Sequence, residues 1–312
     1  MALSENILVA GGAGFIGSHI VGTLAKTALP RIVVYDVNAT EKRVGNVVSF
    51  KGDVFDSDKL LAVMRKEEVS KVISMVGLAS ISDCRKNPKR SFSLNVSSVH
   101  SVLEAMRITD AEHLVFPSTA AVYGDVTEPR VDEGVEPRPT NIYGWHKLAA
   151  ESLIRGYAKD YGINATILRV FNVYGDFLME QGVISAFVRM ALEGKPLVIN
   201  GGGQLRDFVH LNGVVDAFIK SLGNVAAYHK LINVGSGVGL SIDDIAKMVC
   251  ESFPHTEVVY GPSQNGEYGI FADVSEMRNL LGCKAMDPRV GVPRFIEKCK
   301  LTEKRKLLMA SA

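Results

Sequence analysis

The sequence predicts an α/β fold, a doubly wound parallel sheet with a smaller α/β lobe toward the C-terminus. Three observations predict it. Short β-branched apolar runs alternate with helix-length segments over the first two thirds of the chain, the runs end at Gly, Asp, Pro or Ser, and the pattern becomes less regular after residue 175. Such alternation is typical of parallel strands joined by helices that cover both faces of a sheet.

Six apolar runs of strand length are expected to form the buried parallel strands. They span residues 6–10, 31–35, 47–50, 71–76, 113–117 and 165–170. The segments between them carry apolar residues at spacings of three and four, which is typical of amphipathic helices. These helices are predicted at 15–27, 57–66, 91–108 and 143–161.

After residue 175 the predicted elements are shorter. Helices are expected at 182–192, 214–222 and 242–253, and a short strand at 196–199. Ser241 is the expected N-cap of the third helix, with Asp243 and Asp244 in its first turn. The apolar run 231–234 is expected to return to the main sheet. We therefore predict a first lobe of residues 1–175 with a returning strand near 231–236, and a substrate-binding lobe of residues 176–230 and 237–312.

Composition narrows the class of protein. The 312 residues are 47% hydrophobic and 22% charged, with 35 basic and 34 acidic side chains and a formal net charge of +1. The apolar runs are far shorter than the roughly 18 to 20 residues that span a bilayer. The four cysteines are widely spaced and form no Cys-x-x-Cys pair. We expect a cytoplasmic protein with no nucleic-acid or membrane partner, no disulfide framework and no metal site.

A glycine-rich turn, GGAGFIG, follows the first strand and opens the first helix. Gly11 permits the tight turn, Gly14 lets backbone N–H groups approach a pyrophosphate, and Gly17 lets helix and strand pack closely. Asp36 ends the second strand, where a carboxylate binds an adenosine ribose and repels a 2′-phosphate. The combination predicts a Rossmann-type site for NAD rather than NADP. Asp36 could instead be a solvated turn residue. Asp53 follows the third strand and is expected near the adenine amino group, and the alternative is that it only forms a turn with Gly52.

A second motif, Tyr143-x-x-x-Lys147, places a phenol and an ammonium on one helix face. An ammonium near a phenol lowers the pKa of the phenol, as a general base acting on a sugar or alcohol hydroxyl requires. The spacing alone is common in surface helices. However, Ser118 and Thr119 end a predicted strand, so they bring small hydroxyls to the sheet edge where ligands bind in open α/β folds.

These motifs resemble the NAD-dependent epimerase/dehydratase branch of the extended short-chain dehydrogenases/reductases, which includes UDP-glucose 4-epimerases. The resemblance continues through LRVFNVYG at 168–175 and RDFVH at 206–210. It implies that Tyr143 takes the proton from a sugar 4-hydroxyl while hydride passes to NAD. Thr119 would bridge the substrate hydroxyl and the phenol, and Lys147 would bind the nicotinamide ribose. The implied activity is redox-neutral 4-epimerisation of UDP-glucose and UDP-galactose, or of their N-acetyl forms, through a 4-keto sugar.

The resemblance also assigns binding residues. Besides the three glycines, Asp36, Tyr143 and Lys147, the implied cofactor contacts are Phe15, Ile16, Asp53, Val54, Val76, Asn95, Ser118 and Phe171. The implied substrate contacts are Thr119, Tyr143, Asn172, Val183, Val198, Asn200, Arg206, Gln264 and Ile270. Arg206 would grip the diphosphate with its guanidinium fork. The alternative for Arg206 is a salt bridge to a neighbour such as Asp207.

Four features of this sequence bear on the substrate. Ala120 and Ala121 stand where dehydratases of the family carry Asp or Glu, which favours epimerisation. The loop 174–182 is shorter than the insertion that members of the family usually carry at this position. Gln264 stands near the position of an expected second arginine, which would weaken nucleotide binding or change the nucleotide. By the same resemblance Ile270 would lie near the substituent at C2 of the sugar, so a substrate with an N-acetyl group there stays an alternative.

Two other functions stay open at this point. The first is a nucleotide-sugar dehydratase or reductase of the same family, and a net oxidoreductase would exchange its cofactor at each turnover. The second is a non-catalytic, NAD-responsive binding protein. The helices at 91–108 and 143–161 form a dimer interface in relatives, so the resemblance implies a homodimer. His146 is expected to be an exposed helix residue.

Overall fold

In a computed structural model, residues 5–27, 31–175, 182–262 and 269–310 are described, the last seven without their side chains. The strands are β1 (Asn6–Ala10), β2 (Ile32–Asp36), β3 (Lys42–Val44), β4 (Val47–Lys51), β5 (Val69–Ser74), β6 (His113–Thr119), β7 (Arg130–Val131), β8 (Asn164–Val170), β9 (Asn172–Tyr174), β10 (Leu197–Asn200), β11 (Leu205–His210), β12 (Leu231–Val234), β13 (Gly239–Ser241), β14 (Val258–Gly261) and β15 (Phe271–Ala272). The helices are α1 (Phe15–Leu24), α2 (Ser57–Lys66), α3 (Ile81–Lys86), α4 (Pro88–Phe92), α5 (Ser98–Thr109), α6 (Ile142–Tyr161), α7 (Val183–Leu192), α8 (Leu211–Ser221), α9 (Ile242–Ser252), α10 (Ser275–Leu281) and α11 (Pro288–Ala310).

The main sheet has the strand order β12-β8-β6-β5-β1-β2-β4-β3. Its strand pairs are parallel except for β3, a short exposed strand that pairs antiparallel with β4. The predicted doubly wound α/β fold is confirmed, and the run 231–234 returns to the sheet beside β8 as expected. The sequence did not predict β3, because its side chains are all exposed and give no apolar signal.

Side chains alternate between the two faces of this sheet and bury two separate cores. On β1, the side chains of Ile7 and Val9 lie on the face of the sheet that α1 and α8 cover. The side chain of Leu8 lies on the opposite face, which α2, α5 and α6 cover. The chain leaves β1 toward β2 on one side and returns to β5 on the other. This reversal opens a crevice at the carboxyl ends of β1 and β5, which is where ligands bind in such folds.

The segment predicted as one helix at 91–108 is helical throughout, but it is not α-helical along its whole length. The chain instead forms α4, one π-helical turn at Ser93–Ser97, and then α5. Asn95 lies in this turn, is 1% exposed and bonds to the backbone of Leu78. Widening the helix by a residue is a common feature near functional sites, and here it turns the amide of Asn95 toward the segment after β5.

The smaller lobe contains two short sheets, β10-β14 and β13-β11-β9, around a third apolar core. Ser241 caps α9 as predicted and forms a capping box with Asp244. In contrast, α8 packs against α1 and β8 and so lies on the large sheet. We therefore propose to group residues 211–234 with the first lobe, which shortens the part of 176–230 assigned to the substrate lobe. None of the described helices has the length and apolarity needed to cross a membrane.

Candidate active site

A cleft of about 780 Å³ runs along the carboxyl edge of the main sheet and continues to the smaller lobe. It brings together most of the predicted site residues. Those that line it are Gly11, Gly14, Phe15, Ile16, Gly17, Val76, Asn95, Ser118, Thr119, Tyr143, Lys147, Phe171, Asn172, Arg206 and Ile270. Residues predicted for cofactor, catalysis and substrate therefore share one continuous cavity.

The glycine-rich turn forms the floor at one end of the cleft. Gly11 has a φ of +78°, and a Cβ there would lie 2.8 Å from the backbone of Met75 and Val76. A Cβ on Gly17 would collide with the carbonyl oxygen of Gly11. Gly14 caps α1 without a side-chain hydrogen bond, which leaves first-turn N–H groups available to an anion. The backbone shape required for a pyrophosphate is present.

Asp36 binds the glycine-rich turn instead of lining the cleft. Its Oδ2 accepts from the N–H of Ala13 at 3.0 Å, and its Oδ1 accepts from the N–H of Asn38 at 2.8 Å. Asp53 is exposed, and its carboxylate accepts from the N–H of Phe55, which is the arrangement of the turn alternative. Val54 is buried in the core on the α2 side. Asp53 and Val54 do not line the cleft.

Thr119 and Tyr143 meet where β6 ends and α6 begins. Asn141 caps α6 by accepting from the N–H of Gly144 at 3.0 Å. Because Gly144 has no side chain, α6 approaches the carbonyl oxygen of Ala121, 2.5 Å from where a Cβ would be. This close approach brings the Tyr143 phenol within hydrogen-bonding reach of Thr119.

Lys147 follows Tyr143 by one helical turn and is 4% exposed. Its ammonium lies 4.3 Å from the ring centroid of Phe116. Burial lowers the pKa of Lys147 to about 7, and the nearby carboxylate of Glu151 opposes that shift.

The expected lowering of the phenol pKa is not found. Burial raises the pKa of Tyr143 to about 12, although its hydrogen bond with Thr119 acts in the opposite direction. Desolvation penalises the charged form of both groups, so the phenol and the amine are each shifted toward neutrality. The sequence predicted an effect of the Lys147 charge on the phenol and missed the burial that determines the direction of the shift.

A buried ion pair under the catalytic helix was also missed. Glu151 and Arg169 are 0% and 1% exposed and form a two-pronged pair at 3.0 and 2.8 Å. Ser118 donates to Glu151 at 2.5 Å, which links the pair to the strand that carries Thr119. An arginine inside the apolar run 165–170 was the available signal, since a charge in a buried strand needs a partner.

The Arg169 side chain also continues the polar cluster toward the smaller lobe. Its guanidinium lies 4.6 Å from the ring centroid of Tyr123, whose hydroxyl donates to Asn233 at 2.6 Å.

His146 was expected to be exposed, and this was wrong. It is buried, and its Nδ1 lies 2.8 Å from the hydroxyl of Ser91, because it faces the segment that leads into the π-helical turn.

At the other end of the cleft, Arg206 on β11 forms a bridge with Ile270. Burial lowers the pKa of Arg206, and Asp125 opposes that shift. The carboxylate of Asp207 is fully buried and accepts N–H groups of the backbone at 236, 237 and 272. Those bonds satisfy Asp207 without its neighbour, which counts against a salt bridge between Arg206 and Asp207.

The remaining predicted substrate residues are more dispersed. Asn172 donates to the carbonyl oxygen of Asp207 at 2.9 Å, so its amide is held at the rim of the cleft. Val183 lines a second cavity of about 200 Å³, which adjoins the first at Asn172 and Arg206. Val198 and Asn200 lie exposed on β10 and line neither cavity. Gln264 lies outside the described residues.

Comparison with known proteins gives one consistent group. Residues 7–235 match the NAD dependent epimerase/dehydratase family. The chain is 30% identical over 305 residues to the UDP-glucose 4-epimerase of Lacticaseibacillus casei, over 89% of this chain and 91% of that protein.

Solved structures extend the similarity to the fold. The Thermus thermophilus UDP-glucose 4-epimerase, in complex with NAD, is 30% identical with a TM-score of 0.83, over 95% of this chain and 99% of that chain. The UDP-glucuronic acid 4-epimerase of Bacillus cereus, in complex with UDP-glucuronic acid and NAD, is 26% identical with a TM-score of 0.86, over 95% and 99% of the two chains.

Proposed function

The chain belongs to the NAD-dependent epimerase/dehydratase family, and we propose that it is a nucleotide-sugar 4-epimerase that uses NAD as a retained cofactor. The observation that carries the proposal is the shared cleft. It joins the glycine-rich turn, the Thr119, Tyr143 and Lys147 side chains, and Arg206 in one cavity. A dinucleotide and a nucleotide sugar can therefore meet at the phenol.

The backbone at the glycine-rich turn fits the diphosphate of NAD. Gly11 and Gly17 leave space that a Cβ would fill, and the N-terminus of α1 offers N–H donors. In this proposal Lys147 binds the nicotinamide ribose. Asp36, whose carboxylate accepts from the N–H groups of Ala13 and Asn38, would exchange such a contact for the adenosine ribose. When bound, NAD supplies a hydride acceptor that later returns the hydride to the sugar.

Tyr143 acts on the sugar 4-hydroxyl in this proposal. The phenol oxygen accepts the proton of that hydroxyl, and Thr119 holds the hydroxyl in line with it. Burial favours the neutral phenol. A positive charge brought into the same cleft would favour the phenolate, and so would the ammonium form of Lys147. The base would therefore be activated only once the cleft is filled.

The wall beside Thr119 supports epimerisation over dehydration. Elimination of water needs a further acid and base, and Ala120 and Ala121 offer methyl groups there. Among the described residues that line the cleft, Asp125 is the single carboxylate, and it lies near Arg206 at the opposite end from Lys147. The sugar is thus oxidised and reduced at one carbon without loss of a group.

The proposal is tested by proton NMR of the purified protein with UDP-hexoses and UDP-N-acetylhexosamines and no added NAD(H). We expect new anomeric signals from the 4-epimer at many turnovers per protein, since the cofactor is regenerated in each cycle. Stoichiometric formation of NADH, or of a deoxy sugar, would contradict the proposal in favour of a net oxidoreductase or a dehydratase.

We also propose a homodimer joined through α5 and α6. These helices pack on each other outside the main sheet, and Trp145 on α6 is 53% exposed. Light scattering should give twice the mass of one chain, and Trp145→Lys should lower it toward that of a monomer. A monomeric mass for the unaltered protein would contradict this assembly.

A further inference from the structure

We infer that Ser91 and His146 are positioning residues for NAD, because they orient the side chain of Asn95 and, through it, hold the cleft wall formed by residues 75–79. Neither Ser91 nor His146 lines the described cleft, whereas Asn95 does. The inference rests on the proposed function in taking NAD as the retained cofactor, and it is independent of the sugar.

The wall formed by residues 75–79 follows β5, and all five of its residues line the cleft. Residues 75–80, which lie within the described part of the chain, form neither strand nor helix. The start of the wall lies against the glycine-rich turn, where the N–H of Met75 donates to the carbonyl oxygen of Ala10 at 2.7 Å. Beyond Met75 the backbone needs partners other than a neighbouring strand to keep one conformation.

The side chain of Asn95 supplies such partners at Leu78. Its Oδ1 accepts from the N–H of Leu78 at 3.0 Å, and its Nδ2 donates to the carbonyl oxygen of Leu78 at 3.0 Å. The amide also lies close to Gly77, where a Cβ would be 3.0 Å from Oδ1. The pairing requires one orientation of the amide, since a flipped amide would set donor against donor and acceptor against acceptor.

Ser91 and His146 select that orientation of the Asn95 amide. All three side chains are buried. Asn95 Nδ2 also donates to the hydroxyl oxygen of Ser91 at 3.3 Å, and this oxygen lies 2.8 Å from Nδ1 of His146. The hydroxyl proton can then be donated to an unprotonated Nδ1. With that proton used, a flipped amide would place its oxygen against the oxygen of Ser91.

The position of His146 on α6 joins this wall to the catalytic helix. Burial lowers the pKa of His146, which favours the neutral ring that can accept a hydrogen bond. Phe92 packs edge-on against the imidazole with 5.6 Å between ring centroids. His146 directly precedes Lys147, which lines the cleft. One set of bonds therefore connects α6, the π-helical turn and residues 75–79, and its loss would let the wall move away from bound NAD.

The test measures the release of NAD. Protein loaded with NAD is diluted into excess isotope-labelled NAD, and uptake of the label is followed. Ser91→Ala and His146→Phe each remove one buried hydrogen bond, and we expect release about tenfold faster in each. Ser93→Ala removes a hydroxyl that donates to the carbonyl oxygen of Lys89 in the same segment, and this control should release NAD at the unaltered rate. Unchanged release in both Ser91→Ala and His146→Phe would overturn the inference.

Two further variants separate the hydrogen bonds from simple packing. In His146→Asn the amide oxygen takes the place of Nδ1, so release should stay within about twofold of the unaltered protein. If His146→Asn released NAD as fast as His146→Phe, the acceptor role of His146 would be refuted. The double variant of Ser91→Ala and His146→Phe should release NAD no faster than either single variant, because both remove the same bond. Fully additive effects would overturn the inference.

Hydrogen exchange examines the wall without reference to catalysis. The N–H of Leu78 should exchange about tenfold faster in Ser91→Ala than in the unaltered protein, whereas the N–H groups of β1 should keep their rates. Unchanged exchange at Leu78, or an equal increase throughout β1, would overturn the inference. This result is obtained whether or not a sugar is epimerised, so failure of the proposed function and failure of this inference are distinguishable.

Discussion

The cofactor half of the cleft and its substrate half are built in different ways. In the cofactor half, residues at the ends of the parallel strands are tied together by buried bonds, as in the contacts of Glu151 with Ser118 and Arg169. In the substrate half, β9 and β11 belong to a short three-stranded sheet. There the hydroxyls of Tyr174 and Ser185 are buried and have no hydrogen-bond partner among the described residues, as is also true of Arg169 Nη1 and the Ser74 hydroxyl in the cofactor half. The difference lies in the buried ion pair, which the described residues of the substrate half do not match.

This difference indicates which half is formed before a ligand arrives. The buried bonds of Glu151 with Ser118 and Arg169 resist rearrangement, because breaking them leaves desolvated charges behind. An unpartnered buried hydroxyl has already lost its water, so a ligand or a local rearrangement that supplies a partner is favoured. We therefore expect the cofactor half to be preorganised and the substrate half to adjust on binding.

The largest expected effect comes from Tyr143→Phe. Removing the proton-accepting oxygen should lower kcat by about 10²- to 10⁴-fold, while NAD stays bound because the glycine-rich turn is unchanged. Activity is followed by NMR and bound NAD by its absorbance after denaturation. Tyr161→Phe, at the exposed end of the same helix, should keep full activity. A fully active Tyr143→Phe protein would remove Tyr143 from the chemistry.

The next largest effect is on stability. Glu151→Gln leaves the Arg169 charge buried and unpaired, so the free energy of unfolding should fall by about 3–5 kcal/mol in urea titrations. Glu297→Gln breaks a surface pair with Lys300 on α11 and should cost less than about 1 kcal/mol. Similar losses for both variants would mean that the buried network does not make the cofactor half more rigid.

Two glycines on α1 make a matched pair. Gly17→Ala forces a Cβ onto the Gly11 carbonyl, and we expect a loss of about 1–3 kcal/mol from overpacking together with weaker NAD binding. Gly22 meets nothing within 4 Å, so Gly22→Ala should stabilise the protein by about 0.5–1 kcal/mol. Thermal unfolding and cofactor titration of both variants check this. Tight NAD binding by Gly17→Ala would contradict the assignment of the turn.

The buried amine of Lys147 predicts a pH dependence. Its pKa is lowered to about 7 in the folded protein, so above pH 7 the unfolded chain holds a proton that the folded protein has lost. Stability therefore rises with pH, by about 2 kcal/mol between pH 7 and 9 from this group. Lys147→Met should show a flatter profile in urea titrations across that range. If the free energy of unfolding depended on pH equally in the two proteins, the Lys147 amine would be solvated and its pKa would not be lowered.

The smallest effect compares two buried tyrosines. Tyr123→Phe removes a hydroxyl that donates to Asn233 at 2.6 Å, and should cost about 1 kcal/mol or more. Tyr174→Phe removes a hydroxyl without a described partner, and should change stability by less than about 0.5 kcal/mol. The reverse order would mean that the Tyr174 hydroxyl makes a hydrogen bond at least as strong as that of Tyr123.

The same contrast explains what the sequence could predict. Strands such as β1 and the glycine-rich turn carry local signals, since apolar runs and glycine spacing are read within one segment. The π-helical turn carries Asn95, which bonds to Leu78, seventeen residues away in sequence, and the spacing of apolar residues does not indicate such a contact. Likewise the pKa of Tyr143 depends on burial by distant segments, which the Tyr-x-x-x-Lys spacing does not contain.

In the substrate half, the expected residues came from separate segments whose relative position is set only by tertiary packing. Val198 and Asn200 lie on β10, whose partner β14 is about sixty residues away in sequence, and they line neither cavity. Arg206 and Ile270, in contrast, are adjacent through a backbone bridge. The RDFVH motif was therefore enough to predict Arg206 as a cleft residue, whereas the position of β10 relative to the cleft could be seen only in the structure.

The most direct test of the central claim follows the hydrogen at C4. A UDP-hexose that the protein epimerises is prepared with deuterium at C4 and incubated in ordinary water without added NAD(H), and product is analysed by NMR after many turnovers. If oxidation and reduction occur at one carbon inside a closed cleft, the 4-epimer keeps its deuterium at C4. Loss of the deuterium to water, or its transfer to free cofactor, would contradict the account.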